Sequence, residues 1–215
     1  MLNACKNISE KVKREWRAWP KKRRFPTLCG CFFLILYLLM LPFLGGLLPI
    51  VTFPEEQIDI FVYSDYIMVK GYYTYENPHP FPVMQGFAIP LPVDADHSAP
   101  VMITARLLSP VEREIPVIYI FNQYRFDLVF FPHERVDVLV TYYQHTPRMD
   151  ARYILITTQS WRRPLTKGYY RLFPEGVEIV GSNYPLRMNE PGVLSFSEEM
   201  FMPEEDWTFS WRTKE

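Results

Sequence analysis

The chain has 215 residues, 48% of them hydrophobic and 16% aromatic, and a formal net charge of -1. That length holds one ordinary domain and an appendage. The charge is unevenly placed: residues 1–25 carry nine Lys/Arg against two acids, and the rest carries 14 against 22. An acidic body excludes a nucleic-acid binder, which concentrates positive charge on its folded part.

In chain order, the first predicted element is the basic head, residues 1–25. Ile8, Val12, Trp16 and Trp19 recur at spacings of four, four and three, one face of a helix. One reading is a short helix on the inner leaflet, with Trp16, Trp19, Lys21, Lys22, Arg23 and Arg24 as interfacial anchors. The other is a basic, partly disordered tail. Residues 26–51 follow as a predicted transmembrane helix, since Phe25 to Pro54 contains no charged side chain. A helix over residues 28–48 extends roughly 31 Å at 1.5 Å per residue, matching a hydrocarbon core of about 30 Å. A secretory apolar region is shorter, about 7–15 residues, and ends in a small-residue cleavage site. FLGGLLPIV offers no such site, so the expectation is an uncleaved anchor. The anchor residues singled out are Phe33, Tyr37, Pro42, Gly45 and Gly46. Pro42 is expected to kink the helix, Gly45-Gly46 to leave a flat face, and Pro49 and Pro54 to end it; the set reads either as helix termination or as a packing face for a neighbouring helix. Cys5, Cys29 and Cys31 all precede the body, so no disulfide is expected there, and the C-x-C spacing is weak for zinc or redox chemistry. Lys21–Arg24 before the span and Glu55, Glu56 and Asp59 after it place the amino terminus in the cytoplasm. Residues 52–215 are then periplasmic or otherwise extracytoplasmic, in a bacterial inner membrane.

The body, residues 52–215, reads as strands. Ile58, Ile60 and Val62 alternate with Gln57, Asp59 and Phe61, and Ile67, Val69, Tyr73 and Tyr75 share one face of the next run. Ser64-Asp65 turns between them, which predicts a hairpin. NPHPFP is a stiff connection. Further strands are expected over 101–108, 115–121, 124–131, 135–144, 151–159, 176–180 and 206–212, the last with Trp207, Phe209 and Trp211 on one face. Turn signals about every ten residues predict a mainly β fold, an antiparallel β-sandwich, immunoglobulin-like or related. The 20 prolines sit in connections and at strand ends, where a missing N–H does no harm.

Tyr75-Glu76-Asn77, then Phe87 and Pro90, then Phe131-Pro132, then Tyr142 and Gln144 stand in order along the chain. Arg152–Leu155, Thr157, Thr158, Trp161, Pro164 and Leu165 complete the series. Over about residues 52–170 this order resembles a group of bacterial secreted β-rich domains of unknown function. The resemblance implies an exported β-domain and no catalytic role.

Chemistry is sparse. His79, His97, His133 and His145 fall in connections without metal-ligand spacing, and no nucleophile elbow or phosphate loop appears. Asp94, Asp96 and His97 form one compact polar loop, read as solvated or as a cation site. No cofactor and no enzymatic activity is expected. Trp161, Arg162, Arg163, Tyr169 and Tyr170 read either as a partner surface or as a tryptophan plug with paired arginines. Met200, Phe201 and Met202, set between acids, read as a docking point or a core edge. The expected partners are integral membrane proteins and the bilayer. The expected role is an accessory subunit or assembly factor, with a tethered ligand-binding module as the alternative.

Overall fold

The computed structural model describes residues 30, 32–37, 50–94 and 97–214. The chain divides into two units, residues 1–48 and 49–215. In the first, residues 32–37 are helical with exposed side chains, Phe33 and Tyr37 among them. Among the described residues no helix is long and apolar enough to cross a membrane. Pro42, Gly45, Gly46, Trp16, Trp19, Lys21, Lys22, Arg23 and Arg24 lie outside the described residues, as does Asp96.

The second unit is mainly β. Its strands are β1 (Thr52–Val62), β2 (Tyr66–Glu76), β3 (Val83–Ile89), β4 (Met102–Ser109), β5 (Arg113–Ile115), β6 (Ile118–Ile120) and β7 (Gln123–Phe130). They continue with β8 (Arg135–His145), β9 (Asp150–Tyr153), β10 (Leu165–Pro174), β11 (Val177–Ser182), β12 (Arg187–Glu190), β13 (Val193–Phe201) and β14 (Trp207–Thr213). A 3-10 helix, Ile156–Trp161, separates β9 from β10. One eight-stranded sheet has the order β12-β13-β10-β1-β2-β8-β4-β5. Two three-stranded sheets, β11-β14-β9 and β3-β7-β6, pack on one of its faces.

Each small sheet closes its own core. Val83, Phe87, Phe126, Leu128 and Phe130 from β3 and β7 meet Leu107, Val136, Val138 and Tyr75 of the large sheet. Ala151, Tyr153, Trp207, Phe209 and Trp211 from β9 and β14 meet Ile58, Ile60, Val69, Tyr170 and Leu172. The alternation that predicts the β1–β2 hairpin is the one that fills these cores, with Ile60 opposite Val69 and Val62 opposite Ile67. Removing apolar area of this kind from water supplies the main driving force for the fold.

Four expectations need correction. The pairing is not wholly antiparallel, because β1 and β10 run parallel from Glu55 opposite Lys167 to Val62 opposite Pro174. The layout of eight strands facing three and three differs from the immunoglobulin plan of two comparable sheets. Residues 151–159 do not form one strand. Asp206 Oδ1 accepts the N–H groups of Leu155 (3.0 Å) and Ile156 (3.1 Å), so the chain leaves β9 and coils into the 3-10 helix. Strands β3, β10, β12 and β13 lie outside the expected runs, and the run expected over 115–121 is divided between the end of β5 at Ile115 and β6.

Two glycines make room for the tyrosines two residues after them. A Cβ on Gly71 would run into the Tyr73 hydroxyl, and one on Gly168 would lie 2.7 Å from the Tyr170 ring. Both rings therefore lie flat across the backbone of the preceding same-face position. Tyr170 is fully buried, so its ring has no route of retreat. We expect Gly168→Ala to lower unfolding stability by about 1–3 kcal/mol through overpacking. Chemical denaturation of the full-length protein in detergent measures this, and an unchanged midpoint would show that the ring can move aside.

Candidate functional site

The polar constellation with the most buried chemistry is centred on Glu56, in the middle of the large sheet. The side chain is buried, and it faces the cores because β1 alternates faces at every residue. Tyr153 Oη donates to Glu56 Oε1 at 2.9 Å, and Tyr170 Oη donates to Oε2 at 2.8 Å. Tyr73, opposite Glu56 in the β1–β2 register, brings its hydroxyl within 2.9 Å of Tyr153 Oη. With the Tyr153 proton committed to the carboxyl group, Tyr73 is the donor in that contact. The chain of donation is Tyr73 to Tyr153 to Glu56, with Tyr170 completing the second oxygen.

Burial pushes the Glu56 pKa up to about 7, and the hydrogen bonds from Tyr170 and Tyr153 pull in the other direction. Burial, followed by the nearby Glu56 charge, holds Tyr153 and Tyr170 well above the usual phenol range. Tyr73 is raised by the same two causes. These phenols therefore remain donors at all physiological pH values. The arrangement can hold or release one proton near neutrality. Among the described residues no group of three or more His, Cys, Asp or Glu is placed to hold a metal ion.

The outer face of the large sheet carries a second charged pair. Arg171 grips Asp59 in a two-point contact, Nε to Oδ1 at 2.7 Å and Nη2 to Oδ2 at 2.6 Å. The rings of Tyr169 and Phe173 flank the guanidinium at 5.3 and 5.2 Å. Phe173 stacks on Phe61 at 4.6 Å. This row covers itself with its own side chains. A separate groove of about 330 Å³ is lined by Tyr66, Val101, Met102, Tyr143, Gln144 and His145. Gln144 is committed there, donating to the carbonyls of Pro92 (3.0 Å) and Ser98 (2.6 Å).

The residues singled out in the sequence are spread over different surroundings. Trp161 packs into the first core, with ring centroids 5.5 Å from Phe53 and 5.8 Å from Tyr75. Arg162 and Arg163 are exposed beside it. Tyr170 is not a contact residue, because strand alternation turns it into the core while Tyr169 faces outward. Phe201 is half-buried against both cores, whereas Met200 and Met202 are exposed. Asp94 accepts from Arg152 Nη2 at 2.6 Å and from the His97 backbone N–H at 2.9 Å, and its Oδ1 lies 2.8 Å from His97 Nδ1.

The structure adds a feature that the sequence reading passed over. Phe121 and Asn122 form the two-residue turn between β6 and β7, with φ of 49° and 62°. Both central residues are left-handed, the arrangement that normally selects Asn-Gly. Phe121 is 85% exposed, and Tyr119 Oη donates to Asn122 Oδ1 at 2.6 Å. A bulky residue in this backbone region costs about 1–2 kcal/mol.

No protein-family model and no curated protein matches the chain. Among solved structures, a Legionella pneumophila protein described as nutrient-binding superposes with a TM-score of 0.57 at 14% identity. The match covers 76% of this chain and 67% of that one. An M1 zinc metallopeptidase of Deinococcus radiodurans gives a TM-score of 0.41 at 6% identity, over 74% of this chain and 42% of its own. The first likeness defines a shared β-rich fold and nothing finer.

Glu56 generates a pH dependence of known sign. Its carboxyl group binds a proton more tightly when folded than when unfolded. The resulting stabilisation is complete below pH about 4.5 and is lost as the pH rises through about 7. At most about 3 kcal/mol is involved. Glu56→Gln should flatten this fall while keeping an acceptor for one tyrosine. Denaturant midpoints from pH 4.5 to 8 check it, and equal slopes in the two proteins would show that the carboxyl group ionises without penalty.

Proposed function

We propose that this chain is a non-enzymatic, single-pass subunit or assembly factor of a larger complex in a bacterial inner membrane. In this reading the amino terminus is cytoplasmic, the anchor lies within residues 26–49, since Ile50 and Val51 already pack in the first core, and the β-unit is extracytoplasmic. The charge division and the uncharged stretch from Phe25 to Pro54 support the anchor and its orientation.

The observation that carries the partner-binding part is the Phe121 turn. An aromatic ring placed almost wholly in solvent on left-handed backbone is unfavourable twice, once for hydration and once for conformation. Ile118, Tyr119 and Ile120 beside it are also exposed, along a free edge of the β3-β7-β6 sheet. Edges of this kind are usually blunted by charge or proline. An apolar knob on such an edge fits insertion into a pocket of a partner protein, the anchoring role aromatic side chains take at interface centres.

A second reading, a tethered module for a small ligand, is favoured by the 330 Å³ groove at Tyr66, Met102 and Tyr143. Its size is at the lower limit of ligand pockets, and the likeness to a protein described as nutrient-binding runs the same way.

The two readings separate on one substitution. Phe121→Asn places a turn-favouring residue at the strained position and removes the knob. It should raise the melting temperature by about 2–4 °C. It should also abolish stoichiometric co-purification of partner proteins from mild detergent. Retention of the same partners by the variant would remove the turn from the interface. A ligand that raises the melting temperature of wild type and variant alike would favour the groove.

A further inference from the structure

We infer that one end of the β-unit lies in the headgroup layer of the bilayer, seated there by Phe81 and Phe131. The inference rests on reading a membrane span within residues 26–49 and adds where the folded unit meets the lipid.

The strand registers define that end. Thr52 opens β1 opposite Glu76 at the close of β2, and Glu76 lies opposite Arg135 at the start of β8. Glu55 lies opposite Lys167 near the start of β10, and Ser109, closing β4, lies opposite Asp137. The connections leaving these points carry Phe81, Val111 and Phe131, which are 50%, 67% and 66% exposed. Met200, near the close of β13, is 68% exposed at the same end. Arg162 and Arg163, also exposed, precede β10 there. Apolar rings together with arginines suit the boundary between acyl chains and phosphates.

Two of these rings are held by built structure. Asn77 is buried, and its Nδ2 donates to the carbonyls of both Phe81 (2.9 Å) and Phe131 (2.8 Å). Its Oδ1 accepts from the His79 N–H at 3.0 Å. Glu134 Oε2 accepts from the Phe131 N–H at 2.6 Å. One buried amide thus fixes two connections, each presenting a phenylalanine outward.

Chain length decides what covers them. Val51 is fully buried and Ile50 packs against the first core, so the folded unit begins at residue 50. A span ending near Leu48 leaves Pro49 alone between them. Two residue steps extend at most about 7 Å. The headgroup layer occupies about 5–8 Å on each side of the hydrocarbon core. The end of the unit where β1 begins therefore cannot stand clear of the headgroups.

Spin labels test this on the full-length protein in phospholipid nanodiscs, with Cys5, Cys29 and Cys31 replaced by serine. Phe131→Cys and Val111→Cys report the inferred end. Phe121→Cys reports the opposite end of the eight-residue strand β7. The collision ratio of oxygen to a water-soluble nickel chelate should be at least threefold higher for labels at 111 and 131 than at 121. Equal ratios, in protein that resists carbonate extraction, would overturn the inference and leave the anchor standing. Release by carbonate would overturn both. Low access to both reagents at 131 would mean a protein neighbour there and also overturn it.

Discussion

A single carboxyl group ties the two layers together. Glu56 belongs to the large sheet, Tyr170 to a neighbouring strand of that sheet, and Tyr153 to the small sheet above it. Moving the small sheet by even one residue of register would take the Tyr153 donor away from Glu56 Oε1 and leave Tyr170 alone on the carboxyl group. An unpaired buried charge is far more costly than a lost apolar contact. The apolar cores supply most of the stabilisation, and this hydrogen-bonded junction fixes which registers are allowed. The two glycines serve the same junction, because only a bare backbone at 71 and 168 lets Tyr73 and Tyr170 lie where they do.

The surface has a corresponding logic. The outer face of the large sheet is closed over by its own pairs, Asp59 with Arg171 and Phe61 with Phe173. Exposed apolar side chains stand elsewhere, Ile118–Phe121 at the β6–β7 turn and Phe81 and Phe131 on the connections around Asn77 among them. These two groups lie at opposite ends of β7. One strand thus separates the two groups, by roughly 26 Å along its length.

Much of the fold was legible in the sequence, and the reasons differ by element. Ile58, Ile60 and Val62 announce β1 because local alternation and final burial agree there. Trp207, Phe209 and Trp211 do the same for β14. In β10, Gly168 stands where the alternation needs an apolar residue, so Tyr170 read as surface. Leu155 and Ile156 favour strand locally, and Asp206 overrides them from about 50 residues away. Glu56 sits between Glu55 and Gln57 and looks solvated. Its burial depends on Tyr153 and Tyr170, 97 and 114 residues away, a distance no local pattern reports. The Phe121 turn escaped because it lacks the glycine that marks such turns.

The parallel pairing of β1 with β10 sets a timetable for biogenesis. The two strands are joined through Asp59 and Arg171, 112 residues apart. At about 5–20 residues per second, synthesis of the intervening chain takes roughly 6–22 s. Throughout that interval one side of β1 has no neighbour, although β2 already covers the other. Asp59 and the still-solvated Glu56 place negative charge on the waiting strand, which disfavours pairing with a second nascent chain. The same carboxyl group that locks the finished sandwich then protects the unfinished one.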